Sequence, residues 1–133
     1  MLTKNNWQKA FDMLNDYATV DDKFYGGVCS YKFLSFEGVK KLVENKYLNL
    51  TERQNYSPMV KSWIKFIENN NLQDKVLFHG YIVEKDRFDR RISIEGIQAD
   101  VNTKFSKDEL KSITDFCYGA DTFKVSPLYV WWD

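Results

Sequence analysis

Apolar residues recur early in the chain at Trp7, Ala10, Phe11, Leu14 and Tyr17, a spacing that puts them on one stripe of a helix capped by Thr3. Ser35 caps a second helix, with Phe36, Val39, Leu42 and Val43 on one face and Lys40, Lys41 and Lys46 on the solvated side. Ser57-Pro58 opens a third: serine caps, and proline in the first turn loses nothing by lacking an N–H. Met59, Val60, Trp63, Ile64, Phe66 and Ile67 form its broad apolar face, and Asn69-Asn70-Asn71 ends it. Asp21 to Val28 reads as a connector with a turn at Gly26-Gly27, and Thr51 to Tyr56 as a loop.

After Asp74 the period changes. Val76 to Val83 and Arg91 to Val101 are rich in β-branched and aromatic residues and read as strands joined by a hairpin loop, Asp86-Arg87-Phe88-Asp89. That loop sets Glu84 opposite Arg91, Val83 opposite Ile92, Tyr81 opposite Ile94 and His79 opposite Gly96. Both faces of the hairpin are partly apolar, which calls for a covered central strand or a bulge near Gly96. Ser106 and Glu109 have the capping-box spacing of a fourth helix, with Leu110, Ile113, Phe116 and Cys117 buried and Gly119 as its stop. Thr122 to Asp133 reads as one strand interrupted by Pro127. The expected fold is α+β, a single domain over residues 1–133 in the order α-α-α-β-β-α-β, with a small antiparallel sheet of about three strands and helices packed mainly on one face.

Composition narrows the function classes. The chain has 133 residues, 44% hydrophobic and 17% aromatic, enough for a packed core and too much for disorder. Lys plus Arg and Asp plus Glu each number 19, so the net charge is zero, which makes nucleic acid an unlikely partner. Lysine outnumbers arginine and asparagine is frequent, a bias of bacterial or phage type that carries no mechanism. No stretch is long and apolar enough for a membrane span or a signal peptide, and Cys29 and Cys117 are too few for a disulfide framework, so a cytoplasmic protein with free thiols is expected. One histidine and two scattered cysteines supply neither a metal site nor a cofactor motif, and Gly26-Gly27 lacks the spacing of a phosphate loop.

Three functional readings remain. The leading one is a small binding or inhibitor module that meets a protein partner through a contact surface. Its residues are Arg87, Phe88 and Arg90 at the charged hairpin tip, and Trp131 and Trp132 in the last strand, which must point to opposite faces. The alternative is a small enzyme with a pocket around His79, Tyr81 and Glu95, in which a buried carboxylate would titrate high. The register above puts Glu95 opposite Gly80, on the face away from His79. The third is a self-associating subunit that pairs through the free edge of its C-terminal strand.

Overall fold

A computed structural model describes residues 2–133. The chain forms α1 (Trp7–Tyr17), β1 (Thr19–Val20), β2 (Val28–Leu34), α2 (Phe36–Glu44), α3 (Val60–Asn69), β3 (Leu77–Val83), β4 (Ile92–Gln98), α4 (Lys107–Phe116), β5 (Thr122–Val125) and β6 (Leu128–Trp131). The strands make one antiparallel sheet in the order β1-β2-β3-β4-β6-β5. The class is α+β, but the expected sheet of about three strands and the order α-α-α-β-β-α-β are both corrected: the sheet has six strands. Each of the two segments read otherwise is a hairpin. Gly26 and Gly27 both take positive φ, 59° and 82°, and close a tight turn in which Tyr25 and Val28 exchange backbone hydrogen bonds. Beyond that turn, buried Cys29 and Tyr31 alternate with exposed Ser30 and Lys32. At the C-terminus the Ser126-Pro127 turn, with a cis peptide bond, folds β5 back on β6 rather than interrupting one strand.

The helix starts follow local chemistry. Thr3 and Asn6 exchange reciprocal side-chain hydrogen bonds ahead of α1. Ser35 accepts from the Gly38 N–H at α2, and Ser106 and Glu109 form a complete capping box at α4. Helix α3 departs from expectation. It begins at Val60 with Met59 as the flanking residue, because Ser57 Oγ accepts from the Gln54 N–H and closes the preceding loop instead.

Strands β3 and β4 are central, and their register shifts within the hairpin. Near the tip Ile82 opposes Ile92, Tyr81 opposes Ser93 and Gly80 opposes Ile94, one residue from the expected pairing. Glu84 donates its N–H to Gly27 O rather than pairing with Arg91, so the tip is longer and leans on the Gly-Gly turn. Beyond the shift His79 opposes Gly96 and Phe78 opposes Ile97. Glu95 is therefore the extra residue of a bulge and faces no partner across the ladder.

The core lies between the sheet and the helices. Trp63 of α3 is fully buried and meets Phe78, Phe116 and Trp132 edge-on, with ring centroids 5.8, 5.3 and 5.7 Å away, and Phe66 stacks on Phe116 at 4.1 Å. Trp7 of α1 stacks on Phe11 and donates its indole N–H to Val83 O at 2.8 Å, which ties the helix to the end of β3. Cys29 and Cys117 are buried free thiols, and burial pushes Cys117 up to about 12. Among the described residues no helix is long and apolar enough to cross a membrane.

Candidate functional site

Each residue of the expected pocket is engaged by a different structural partner. The His79 ring is 5% exposed, stacks on Tyr129 at 4.7 Å and places Nε2 2.8 Å from Val130 O. Glycine at position 96 makes room for it: a Cβ there would overlap the Val130 carbonyl and come within 2.9 Å of Nε2. Desolvation lowers the His79 pKa, against the pull of the Val130 and Ile97 carbonyls, so the imidazole is held neutral. Tyr81 donates its hydroxyl to Gln54 Oε1 at 2.7 Å and accepts from Arg91 Nη2 at 2.8 Å. Glu95, released by the bulge, accepts from Trp131 Nε1 at 3.2 Å. Trp131 opposes Gly96, as His79 does, so Glu95 reaches the face of His79 and not the opposite one. Burial raises the Glu95 pKa, although the Trp131 hydrogen bond opposes the shift. No hydrogen bond joins His79, Tyr81 and Glu95 to one another, and each is occupied by a structural partner. Among the described residues no three metal-ligating side chains converge.

The two tryptophans divide as strand geometry requires. Trp132 is 3% exposed and packs against Trp63, which places it in the core rather than on a contact surface; Trp131 is half-buried beside Glu95. Nor is β6 an edge, since β5 covers it and itself carries the free edge.

The hairpin tip is the most organised exposed feature. Arg87 grips Asp89 with a two-pronged contact, Nε to Oδ1 at 2.9 Å and Nη2 to Oδ2 at 2.7 Å, and its Nη1 donates to Gly26 O at 3.3 Å. Arg91 adds an ion pair to Asp89 at 3.4 Å and another to Glu52 at 3.5 Å, with its guanidinium over the Tyr81 ring. Desolvation opposes it, but the Arg87 hydrogen bonds and charge hold the Asp89 carboxyl below its usual range. Arg90 Nε donates to Lys85 O at 2.7 Å and closes the loop on itself. Phe88 is left 94% exposed, and Tyr25, at the adjoining Gly-Gly turn, 69% exposed. Beside Phe88 a cleft of about 190 Å³ is lined by Leu2, Tyr47, Glu52, Asp89, Arg90 and Arg91, among others. Burial raises the Glu52 pKa, with Arg91 pulling against it.

Sequence reasoning placed Arg87, Phe88 and Arg90 at this tip. It missed Glu52 and Tyr25 as their neighbours: Glu52 approaches from the α2–α3 connector, and a loop side chain leaves no periodic trace. The Gly-Gly signal was visible and could have located Tyr25, since such a dipeptide between apolar runs marks a hairpin. Comparisons with protein-family models, curated proteins and solved structures find no match.

Proposed function

We propose that this chain is a cytoplasmic binding module that docks on, and can inhibit, a partner protein through the tip of its β3–β4 hairpin. The observation that carries this reading is a large apolar side chain, Phe88, held almost fully in water by a loop in which Arg87 and Arg91 are both tied to Asp89. An exposed phenylalanine on a mobile loop would cost ordering entropy on binding, whereas a tip fixed by the Arg87–Asp89 fork and the Gly26 carbonyl has most of that ordering built in. Arginine and aromatic residues at the centre of a patch are the types that dominate binding energy. The cleft beside Phe88, with Glu52 and Asp89 on its walls, offers a partner's cationic or hydrogen-bonding side chain a place to enter. The buried thiols of Cys29 and Cys117 suit a reducing compartment.

The test is a paired affinity purification from the native host with the wild type and Phe88→Ala, quantified by mass spectrometry. A protein held by the wild type and lost from the variant, while both unfold at the same denaturant concentration, supports the reading. Identical retained sets remove the tip from any role in binding.

A further inference from the structure

The hairpin tip carries a knob and a hole side by side. Phe88 flanks the cleft of about 190 Å³, yet it is 94% exposed, so its ring does not fill that cleft. The loop keeps it out: the Arg87 fork on Asp89 and the Arg90 bond to Lys85 O hold the chain on either side of residue 88. Leu2 and Ile92 line the cleft while only 4% and 1% exposed, so the deepest part of its lining is apolar, with half-buried Tyr47 beside them. An apolar cavity of about 150 Å³ is enough to hold benzene, so a phenyl ring that enters from outside fits this one.

The polar lining is balanced in the same way. Glu52 and Asp89 offset Arg90 and Arg91 around the cleft, and the whole chain has no net charge, so charge does not repel a second copy. Arg90 spends its Nε on Lys85 O, and its two Nη atoms have no hydrogen bond among the described residues. Glu52 has an ion pair with Arg91 at 3.5 Å but accepts no hydrogen bond from the described residues. A two-fold contact needs each patch to carry both halves of every pairing, since residue i meets j and j meets i. This patch carries them: a ring and a ring-sized cleft, an unspent guanidinium and a carboxylate without a donor.

We infer that a second copy of this chain docks here across a two-fold axis, with Phe88 of each copy in the cleft of the other. The inference rests on the tip being a docking surface and adds its regulation: the paired copies cover both rings until another partner displaces one of them. The contact is smaller than a standard interface, so a Kd weaker than micromolar, on the order of 100 μM, is expected.

Sedimentation velocity of the purified chain, from about 10 μM to about 1 mM, should show monomer passing into dimer by mass action. Phe88→Ala removes the ring, and Asn49→Trp covers the cleft from an exposed position in its lining; each should weaken dimerisation by about tenfold or more. A mixture of ¹³C-labelled and unlabelled chains should give isotope-filtered NOEs from the Phe88 ring of one copy to the Leu2 and Ile92 methyl groups of the other. The inference is overturned if the chain stays monomeric throughout, if either variant dimerises as the wild type does, or if a dimer lacks those NOEs. A dimer that both variants leave intact forms elsewhere, such as at the free edge of β5, and also overturns it. Docking on a host protein fails or stands separately: a protein lost from Phe88→Ala in the host extract, with the pure chain monomeric, retains that reading and removes this one.

Discussion

His79 is held on every side by structural neighbours. Its ring is buried on Tyr129, its Nε2 faces a carbonyl, and burial pulls its pKa below the ordinary 6.5. The folded protein thus prefers the neutral ring, so as pH falls below about 6.5 the unfolded chain takes up the proton first and stability declines until the folded-state pKa is passed. The slope cannot exceed about 1.4 kcal/mol per pH unit from this one group. Urea midpoints at pH 7 and pH 5.5 check it: the wild type should lose stability between them, and His79→Gln, which cannot ionise, should lose less. Glu52 and Glu95, raised by burial, act with the opposite sign as pH falls through the carboxylate range, and their contribution is common to both proteins. An equal loss in the variant would separate the histidine from acid sensitivity. Gly96 is the complement of that ring. Gly96→Ala drives a methyl group into the Val130 carbonyl at the β4–β6 ladder, so the expected cost is about 3 kcal/mol, read as a lowered denaturation midpoint. The expected pairing of His79 with Gly96 is found, but not for the expected reason: the register set by the loop is one residue off near the tip, and the bulge at Glu95 restores it. The position of Glu95 was not legible. A bulge is a choice of backbone that trades one ladder hydrogen bond for better burial on both sides, and residue identity alone does not reveal which residue is extruded.

At the scale of elements, legibility followed the length over which a pattern could accumulate. Helices α2 and α4 each carry an apolar stripe and the expected serine cap, so their starts were legible, whereas α1 carries its stripe but begins at Trp7, three residues beyond the start that a Thr3 cap implies, with no side-chain cap on Asn6. The Ser106 cap permits a direct check: Ser106→Ala removes the acceptor for the Glu109 N–H and should cost about 1 kcal/mol of stability in thermal unfolding, with no change in the tip. Helix α3 shows the limit of the same reasoning. Ser57-Pro58 has the composition of a helix start, yet Ser57 is buried and its hydroxyl closes the preceding loop, so a tertiary demand outweighs a local preference. The missed strands are short. β1 has two residues, β5 has four, and the alternation of β2 is broken by Phe33, whose φ of 58° shifts the register against β3. A period of two over so few residues does not stand out from a connector, and only pairing with β3 makes β2 a strand.

The whole molecule keeps its aromatic residues in two different states, and that separation is itself testable. Trp132 belongs to the cluster around Trp63, so Trp132→Ala should destabilise the fold by about 3–5 kcal/mol, as truncations of large core rings do. Any loss of binding in that variant then reports unfolding and says nothing of a contact. Phe88→Ala removes a ring that touches mainly water and should leave stability within about 0.5 kcal/mol of the wild type. Arg87→Ala lies between the two. It removes the fork on Asp89 and the bond to Gly26 O, so the tip loses its link to the Gly-Gly turn while the sheet beneath keeps its ladder. Amide hydrogen exchange should therefore quicken over residues 84–91 and stay unchanged in β3 and β4, with the global denaturation midpoint moved by no more than about 1 kcal/mol. If exchange at the tip is unaltered, the loop is held by its backbone alone and its charges do not organise the proposed docking surface. If exchange quickens and partner binding weakens with Phe88 still in place, rigidity of the tip, rather than the ring by itself, is what the partner requires.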